Sequence, residues 1–295
     1  MKASKFLAIA ICMAVLAVTA SLPVSSYAAT ITLDFGGISD PTFGKGTDLE
    51  MRYPGVATDI NATLTAGATF NGFNTAQNEK NGSVAGDIRV NMTFFESDGT
   101  TPQSVALTLK LWDATDGDGY ASLYDPGVDY DYTLAFYDID RDSDDSPVTN
   151  PSIDVVTLMD QGTYSVTATT QLDIDTSVAG QATFRPDATV LDDVPGQGGL
   201  SSPITQEQAN VMVLYNIMNS SSVSFIYGIE AEAGTNSVRN LLIDGGDLAN
   251  ATCSDVTGGD CGFETPVNVV PIPGAVWLFA SGFGALVVIR RKTKR

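Results

Sequence analysis

The sequence predicts an all-β chain folded as a jelly-roll-like β-sandwich, and three observations carry that reading. Apolar and polar residues alternate at a period of two, turn-forming residues separate the alternating runs, and the stretch between two targeting-like ends is the size of one β domain. Ile88, Val90, Met92 and Phe94 fall on one face against Arg89, Asn91 and Thr93, and Val105, Leu107, Leu109 and Leu111 do so against Thr108 and Lys110. That period is the signature of half-buried strands. It returns in Tyr132, Leu134 and Phe136, in Tyr164, Val166 and Ala168, and in Val223, Phe225, Tyr227 and Ile229. Shorter runs at 30–35, 60–64, 153–158, 182–184 and 240–243 are weaker strands. Gly, Asn, Asp, Ser and Pro fill the intervals, and about ten to thirteen short strands with frequent turns describe a sandwich.

Two segments depart from the alternation. Thr205-Gln206-Glu207-Gln208 has the form of a capping box opening one short helical turn. Val211 to Leu214 is apolar at every position, and the expectation is a buried strand that forms a hairpin through Asn219-Ser220-Ser221-Ser222 into Val223 to Glu230. The Thr, Gly and Asn content of 63–86 reads as a long exposed loop or irregular edge.

Residues 1–28 read as a secretory signal peptide. Lys2 and Lys5 make its charged start, Phe6 to Ala20 its apolar centre, and Ser26-Tyr27-Ala28 a small-x-small cleavage site, which places the mature start near Ala29. The sandwich ectodomain is expected over 29–250. Residues 251–268 follow as a loop and linker holding Cys253 and Cys261, since Cys12 leaves with the signal peptide. A pair of cysteines in an exported chain reads as a disulfide. The alternative, a two-cysteine metal site, lacks histidine ligands because the chain has none.

The last stretch, 269–295, is uncharged from Val269 to Ile289, about 31 Å as a helix, enough to span a bilayer. Arg290, Arg291 and Lys292, with Lys294 and Arg295 beyond, then mark the cytoplasmic side, and Trp277 stands where an interfacial aromatic is expected. Pro271 and Pro273 keep the entry to that helix extended. A plain C-terminal anchor with a proline-containing linker is one reading of this order. The order of Val270-Pro271-Ile272-Pro273, an apolar helix with Trp277, and a terminal Arg-rich cluster also resembles the PEP-CTERM sorting signal of Gram-negative bacteria, in its VPLPA-type variant. Ile272 stands where members of that family normally carry Glu. The resemblance covers 270–295 only. It implies export by the general secretion machinery, a transient membrane anchor through the C-terminal helix, and cutting near Pro271 to Pro273 by exosortase, a transpeptidase-like membrane enzyme. Release to, or attachment at, the cell surface or extracellular matrix would follow, in the company of exopolysaccharide. Family members share the tail and no one enzymatic activity.

Removing both ends changes the charge balance. The chain carries 15 Lys and Arg against 35 Asp and Glu, and seven of the basic residues but no acidic ones lie in the ends, so the mature region holds 8 against 35, or −27. Such a surface argues against nucleic acid and against anionic lipid, and suits solubility, cations or neutral sugars.

The candidate chemistry is acidic. Asp113, Asp116 and Asp118 lie in WDATDGDGY, and Asp138, Asp140, Asp142 and Asp144 alternate in YDIDRDSDD. Alternate carboxylates on an extended segment face one way about 7 Å apart, an arrangement that a cation such as Ca²⁺ relieves. Neither loop is an EF-hand, since counting from Asp138 or Asp140 puts Ser143 or Asp145 where Gly is needed and Thr149 or Pro151 where Glu is needed. Absence of histidine excludes Ser-His-Asp and Cys-His catalysis and His-ligated metal hydrolysis. Gly196-Gln197-Gly198-Gly199 lacks the Lys-Ser/Thr of a phosphate loop. Two readings remain: a non-catalytic surface or matrix sandwich, and a Ca²⁺-stabilised polysaccharide-binding module whose Trp112, Tyr120, Tyr124 and Tyr130 stack on sugar rings.

Overall fold

The computed structural model describes residues 28–35, 50–67, 82–84, 87–94, 103–140, 153–159, 161–187, 204–230, 237–245 and 252–269. The body of the signal peptide and the sorting residues Val270, Pro271, Ile272, Pro273, Trp277, Arg290, Arg291 and Lys292 lie outside them, as do Asp142, Asp144 and Gly196 to Gly199. Among the described residues no helix is long and apolar enough to cross a membrane.

The strands are β1 (Ala29–Ile31), β2 (Glu50–Ala57), β3 (Ile60–Ala66), β4 (Gly82–Val84), β5 (Asp87–Phe94), β6 (Gln103–Asp113), β7 (Tyr130–Tyr137) and β8 (Ile153–Met159). There follow β9 (Gly162–Ser165), β10 (Leu172–Asp175), β11 (Gln181–Pro186), the helix α1 (Gln206–Asn210), β12 (Val213–Met218), β13 (Ser222–Glu230), β14 (Ser237–Asp244) and β15 (Val267–Asn268). One sheet has the order β15-β9-β12-β7-β14-β5-β4, with β1 added to β7, and the other the order β10-β11-β8-β13-β6-β3-β2. Within them β5 pairs with β14, β6 with β13, β7 with β12 and β8 with β11, all antiparallel. The pairing is nested, outermost strands together and innermost together, and alternate pairs belong to alternate sheets. That is the rolled ribbon of a jelly roll.

Side chains fit this directly. Ile88, Val90, Val105, Leu107, Leu109, Leu111, Tyr132, Leu134, Phe136, Val223, Phe225, Tyr227 and Ile229 are all buried between the sheets. Phe136 of one sheet meets Phe225 of the other edge to face at 4.8 Å, and Tyr164 meets Phe184 likewise at 5.1 Å. Ala168 is exposed, because β9 ends at Ser165.

A smaller core covers the outer face of the first sheet. Ala135, Tyr137, Leu214 and Leu242 point outward into it and meet Ile204, Ala209, Met212, Cys253 and Cys261. The capping box opens α1: Gln208 N donates to Thr205 Oγ1 at 3.2 Å, and Thr205 N donates to Gln208 Oε1 at 2.9 Å. Strand β12 is therefore covered on both faces, which explains why Val211 to Leu214 shows no alternation.

One expectation fails and two hold in part. The β12–β13 hairpin does not form, since β12 lies in one sheet and β13 in the other. A strand covered on both sides and one with Ser222 and Ser224 facing outward belong to different environments, and Asn219 turns the chain between them. Of 63–86, read as an exposed loop or irregular edge, residues 63–67 and 82–84 are described: Thr63, Leu64 and Ala66 are buried within β3, where β-branched threonine packs well, and β4 is an edge strand paired with β5. In 251–268, expected as disulfide loop and linker, the disulfide forms as expected and the residues after it pack on the sandwich. Cys253 and Cys261 are joined by a disulfide, Thr252 bridges Asp260, β15 pairs with β9, and Val269 is buried in the main core. Strand β2 went unread because Pro54 and Gly55 interrupt it; it survives as an edge strand with a register shift between Tyr53 and Ala57.

The disulfide closes a sequence separation of 8 residues. Replacing both cysteines by serine is expected to lower stability in urea unfolding by about 2.5 kcal/mol, the chain-entropy value for so short a loop. The sandwich, whose main core does not contain the pair, is expected to remain folded in that variant.

Candidate functional site

The end of β6 and its connection to β7 carry Trp112, Asp113, Asp116, Asp118, Tyr120 and Tyr124 of the residues singled out in the sequence. Leu111 turns inward, so Trp112 faces outward on the second sheet, where its Nε1 donates to Thr63 Oγ1 at 2.9 Å. Tyr120 stands 6.4 Å from the Trp112 ring, and Lys110 Nζ lies 5.7 Å from that ring on β6. The Arg52 guanidinium lies 4.7 Å over Tyr120 and pairs with Glu50 at 2.8 Å, and the hydrogen bond with Glu50 raises its pKa further. Being exposed, that ion pair contributes at most about 1 kcal/mol. Gly119, at φ +81°, leaves room for the Asn61 amide, which donates to its carbonyl at 2.9 Å.

Asp113, Asp116 and Asp118 serve their own loop. Asp113 Oδ1 accepts from Thr115 Oγ1 at 2.6 Å and from Thr115 N at 2.8 Å, and these bonds hold its carboxyl below the usual range. Asp118 Oδ1 accepts from Tyr120 N at 3.0 Å, and Asp116 Oδ2 accepts from Ser122 Oγ. Each carboxylate closes a separate turn. The set does not fit the six to eight converging oxygens of Ca²⁺, and among the described residues no group of three or more acidic or cysteine side chains is arranged to hold a metal ion.

The second acidic run is far away. Asp140 is 2% exposed, and its carbonyl accepts from Asp154 N at 3.0 Å. Tyr227 donates to Asp154 Oδ1 at 2.7 Å, and Asp154 pairs with Ile229, which in turn pairs with Gln103 at the start of β6. Asp113 ends β6, so its 11 residues put the two acidic runs about 34 Å apart, at opposite poles. Asp138, at φ 64°, turns the chain out of β7 at the far pole.

At the near pole the chain encloses a shallow cleft of about 700 Å³ between the end of the β6–β7 connection and the turn from β12 to β13. Tyr124 N donates to Leu111 O at 3.0 Å, which seats one wall against β6. Asp125 Oδ1 accepts from Gly127 N at 2.9 Å, and Gly127, at φ +68°, completes the Asp125-Pro126-Gly127 turn. The Tyr124 and Tyr130 rings meet edge to face at 5.6 Å. Burial pushes the Tyr130 phenol up, against a hydrogen bond with the Ser221 side chain that lowers it, and nearby Asp125 and Tyr124 raise it further. Leu123 and Val128 are 44% and 63% exposed at the rim.

Asn219 forms the opposite wall and joins both segments. Its N–H donates to Tyr130 O at 2.9 Å, its Oδ1 accepts from Tyr130 N at 2.8 Å, and its Nδ2 donates to Asp129 Oδ1 at 3.2 Å. It does this at φ 51°, a region that Asn tolerates better than most residues. Of the four aromatics expected to stack on sugar, Tyr124 lines this cleft half-buried and Tyr130 lines it as a buried ring, 5% exposed, while Trp112 and Tyr120 form a separate half-buried pair on the outer sheet face. Sequence reading missed Asp125, Asp129, Asn219 and Ser221. Asp-Pro-Gly is a readable turn, but nothing local ties it to a turn some ninety residues later.

No protein-family model matches the chain, and no curated protein matches it. Among solved structures it is similar to the adhesin domain of PrgB from Enterococcus faecalis, with 11% identity and a TM-score of 0.36 over 63% of this chain and 57% of that one. It is also similar to the N-terminal domain of the Streptococcus gordonii adhesin Sgo0707, with 13% identity and a TM-score of 0.37 over 66% and 46%. A third similarity is to the glucan binding protein C of Streptococcus mutans, with 7% identity and a TM-score of 0.35 over 66% and 57%. The chain spans about half the length of these structures, and the likeness is one of strand arrangement alone.

Asn219→Ala is expected to lower stability by about 2–4 kcal/mol, through two lost hydrogen bonds and a strained backbone, and Asn219→Gly by roughly 1 kcal/mol less. Urea unfolding of the two variants beside the parent checks the order.

Proposed function

We propose that the chain is an exported cell-surface or extracellular-matrix protein, sorted by exosortase, whose acidic sandwich binds and does not catalyse. One observation carries the reading: the order Val270-Pro271-Ile272-Pro273, an uncharged apolar run, Arg290-Arg291-Lys292, which begins one residue past the last described core residue, Val269. Val269 N donates to Gly162 O at 3.3 Å, so the folded domain is tied down to the start of the motif. A cutting enzyme near Pro271 to Pro273 would leave the sandwich whole.

Other features support the same account. A disulfide suits an oxidising compartment outside the cytoplasm. The excess of 35 acidic over 8 basic residues in the mature region keeps an extracellular surface soluble. Without histidine, the commonest general acid–base group is missing. Asp113 and Asp175 are both held below the ordinary carboxyl range, chiefly by hydrogen bonds from Thr115 and Ser177, the reverse of what a general acid needs. Ca²⁺ has no part in this reading at the 113–118 loop, because its carboxylates do not converge.

Intact mass and terminal sequencing of the protein from its native host test the sorting step. The expected product begins near Ala29 and ends near Pro271 to Pro273, with or without an added group. A product that keeps Arg295 overturns exosortase sorting and leaves a plain anchored protein.

A further inference from the structure

We propose that the cleft between the β6–β7 connection and the β12–β13 turn is a binding site for a neutral saccharide, held without a metal ion. The inference deepens the reading of the sandwich as a non-catalytic binding module, and rests on it, by naming a ligand class and the residues that take it.

Size comes first. A cleft of about 700 Å³ lies inside the range of roughly 300–1,000 Å³ that small-molecule sites occupy. Chemistry narrows the occupant. A pyranose offers an apolar C–H face and a rim of hydroxyls, so its site needs an aromatic or aliphatic surface beside hydrogen-bond acceptors. Tyr124, half-buried, supplies ring surface over the buried ring of Tyr130, which is 5% exposed, with Leu123 and Val128 exposed at the rim, and the carboxylates of Asp125 and Asp129 supply acceptors strong enough to draw hydroxyl donors. Side chains of both walls are fixed before any ligand arrives: the Tyr124 ring against that of Tyr130, Asp129 by Asn219, Asp125 by Gly127 N. Prior fixing reduces the ordering cost of binding.

Charge decides between classes of sugar. The lining holds two carboxylates and neither Lys nor Arg. Uronates, sulfated glycans and phosphates therefore meet like charge at close range, while a neutral or N-acetylated sugar does not. Two carboxylates with no third acidic partner also fall short of a cation cage.

The test is saturation-transfer difference NMR on the full-length chain, in a detergent without a sugar headgroup. The probes are neutral glucan, galactan and N-acetylhexosamine oligosaccharides, with an oligogalacturonate as the charged counterpart. The expected result is saturation transfer from the protein to at least one neutral probe, unchanged by EDTA and absent for the uronate. Asp125→Ala, in an exposed turn, is expected to weaken that binding about tenfold, the effect of losing one charge-assisted hydrogen bond. Val128→Lys, at a position 63% exposed, is expected to let the uronate bind, and Ile174→Ser, outside the cleft, to change nothing. No transfer to any neutral probe, full binding by Asp125→Ala, loss of binding in EDTA, or equal binding of the uronate to the parent each overturns the proposal. Cleavage of a bound probe, seen as new reducing ends, leaves the saccharide site standing and removes only the non-catalytic reading.

Discussion

Contact between the inward faces of two sheets is the constraint on which the rest of this molecule depends. Phe136 and Phe225 meet across it at 4.8 Å, and each belongs to a strand whose alternate residues are buried. Burial of this kind is worth about 25 cal/mol per Å² of apolar surface, and it is available only while every strand keeps its register. A slip of one residue would turn Val223, Phe225, Tyr227 and Ile229 outward together. The nested pairing of β5 with β14, β6 with β13, β7 with β12 and β8 with β11 follows from the need to place all of those faces inside at once.

That packing also fixes what the loops can do. Because β6 and β7 cross the sandwich from pole to pole, the acidic runs that follow them emerge at opposite ends and serve different surroundings. At one end Asp113, Asp116 and Asp118 each satisfy a neighbouring donor. At the other, Asp140 and Asp154 are drawn into the fold. Acidic residues close in sequence thus act as turn builders in one place and as buried structural groups in another. The concave surface instead arises where Asn219 binds the β6–β7 connection back against the crossing between sheets.

Most of the architecture was legible where strands have one wet face. Alternation at 88–94, 105–111, 132–136 and 223–229 marked β5, β6, β7 and β13 with their buried residues, and the capping box at Thr205 marked α1. Legibility failed where a segment is covered twice or sits at an edge. Val211 to Leu214 has no polar face to show its period, because the disulfide loop and α1 cover the outside of β12. With the period lost, the sheet to which β12 belongs was lost too, and a hairpin was the natural but mistaken connection. Strand β2 was hidden by Pro54 and Gly55, which only an edge strand tolerates. For the site, the aromatics Tyr124 and Tyr130 were visible, since large rings beside turn residues attract notice. Asn219 and Ser221 were not, because their contribution depends on a contact between segments about ninety residues apart, and nothing in either segment announces it.

The account joins a targeting pattern at the two ends to a sandwich whose disulfide, acidic surface and polar cleft suit the outside of a cell. Its most direct test is labelling of intact host cells with a membrane-impermeant amine reagent, followed by peptide mapping. Lys110 lies on the outward face of the second sheet beside Trp112, and the account predicts that it is modified on unbroken cells or in the surrounding matrix. Modification of Lys110 only after the cells are lysed would contradict a surface location.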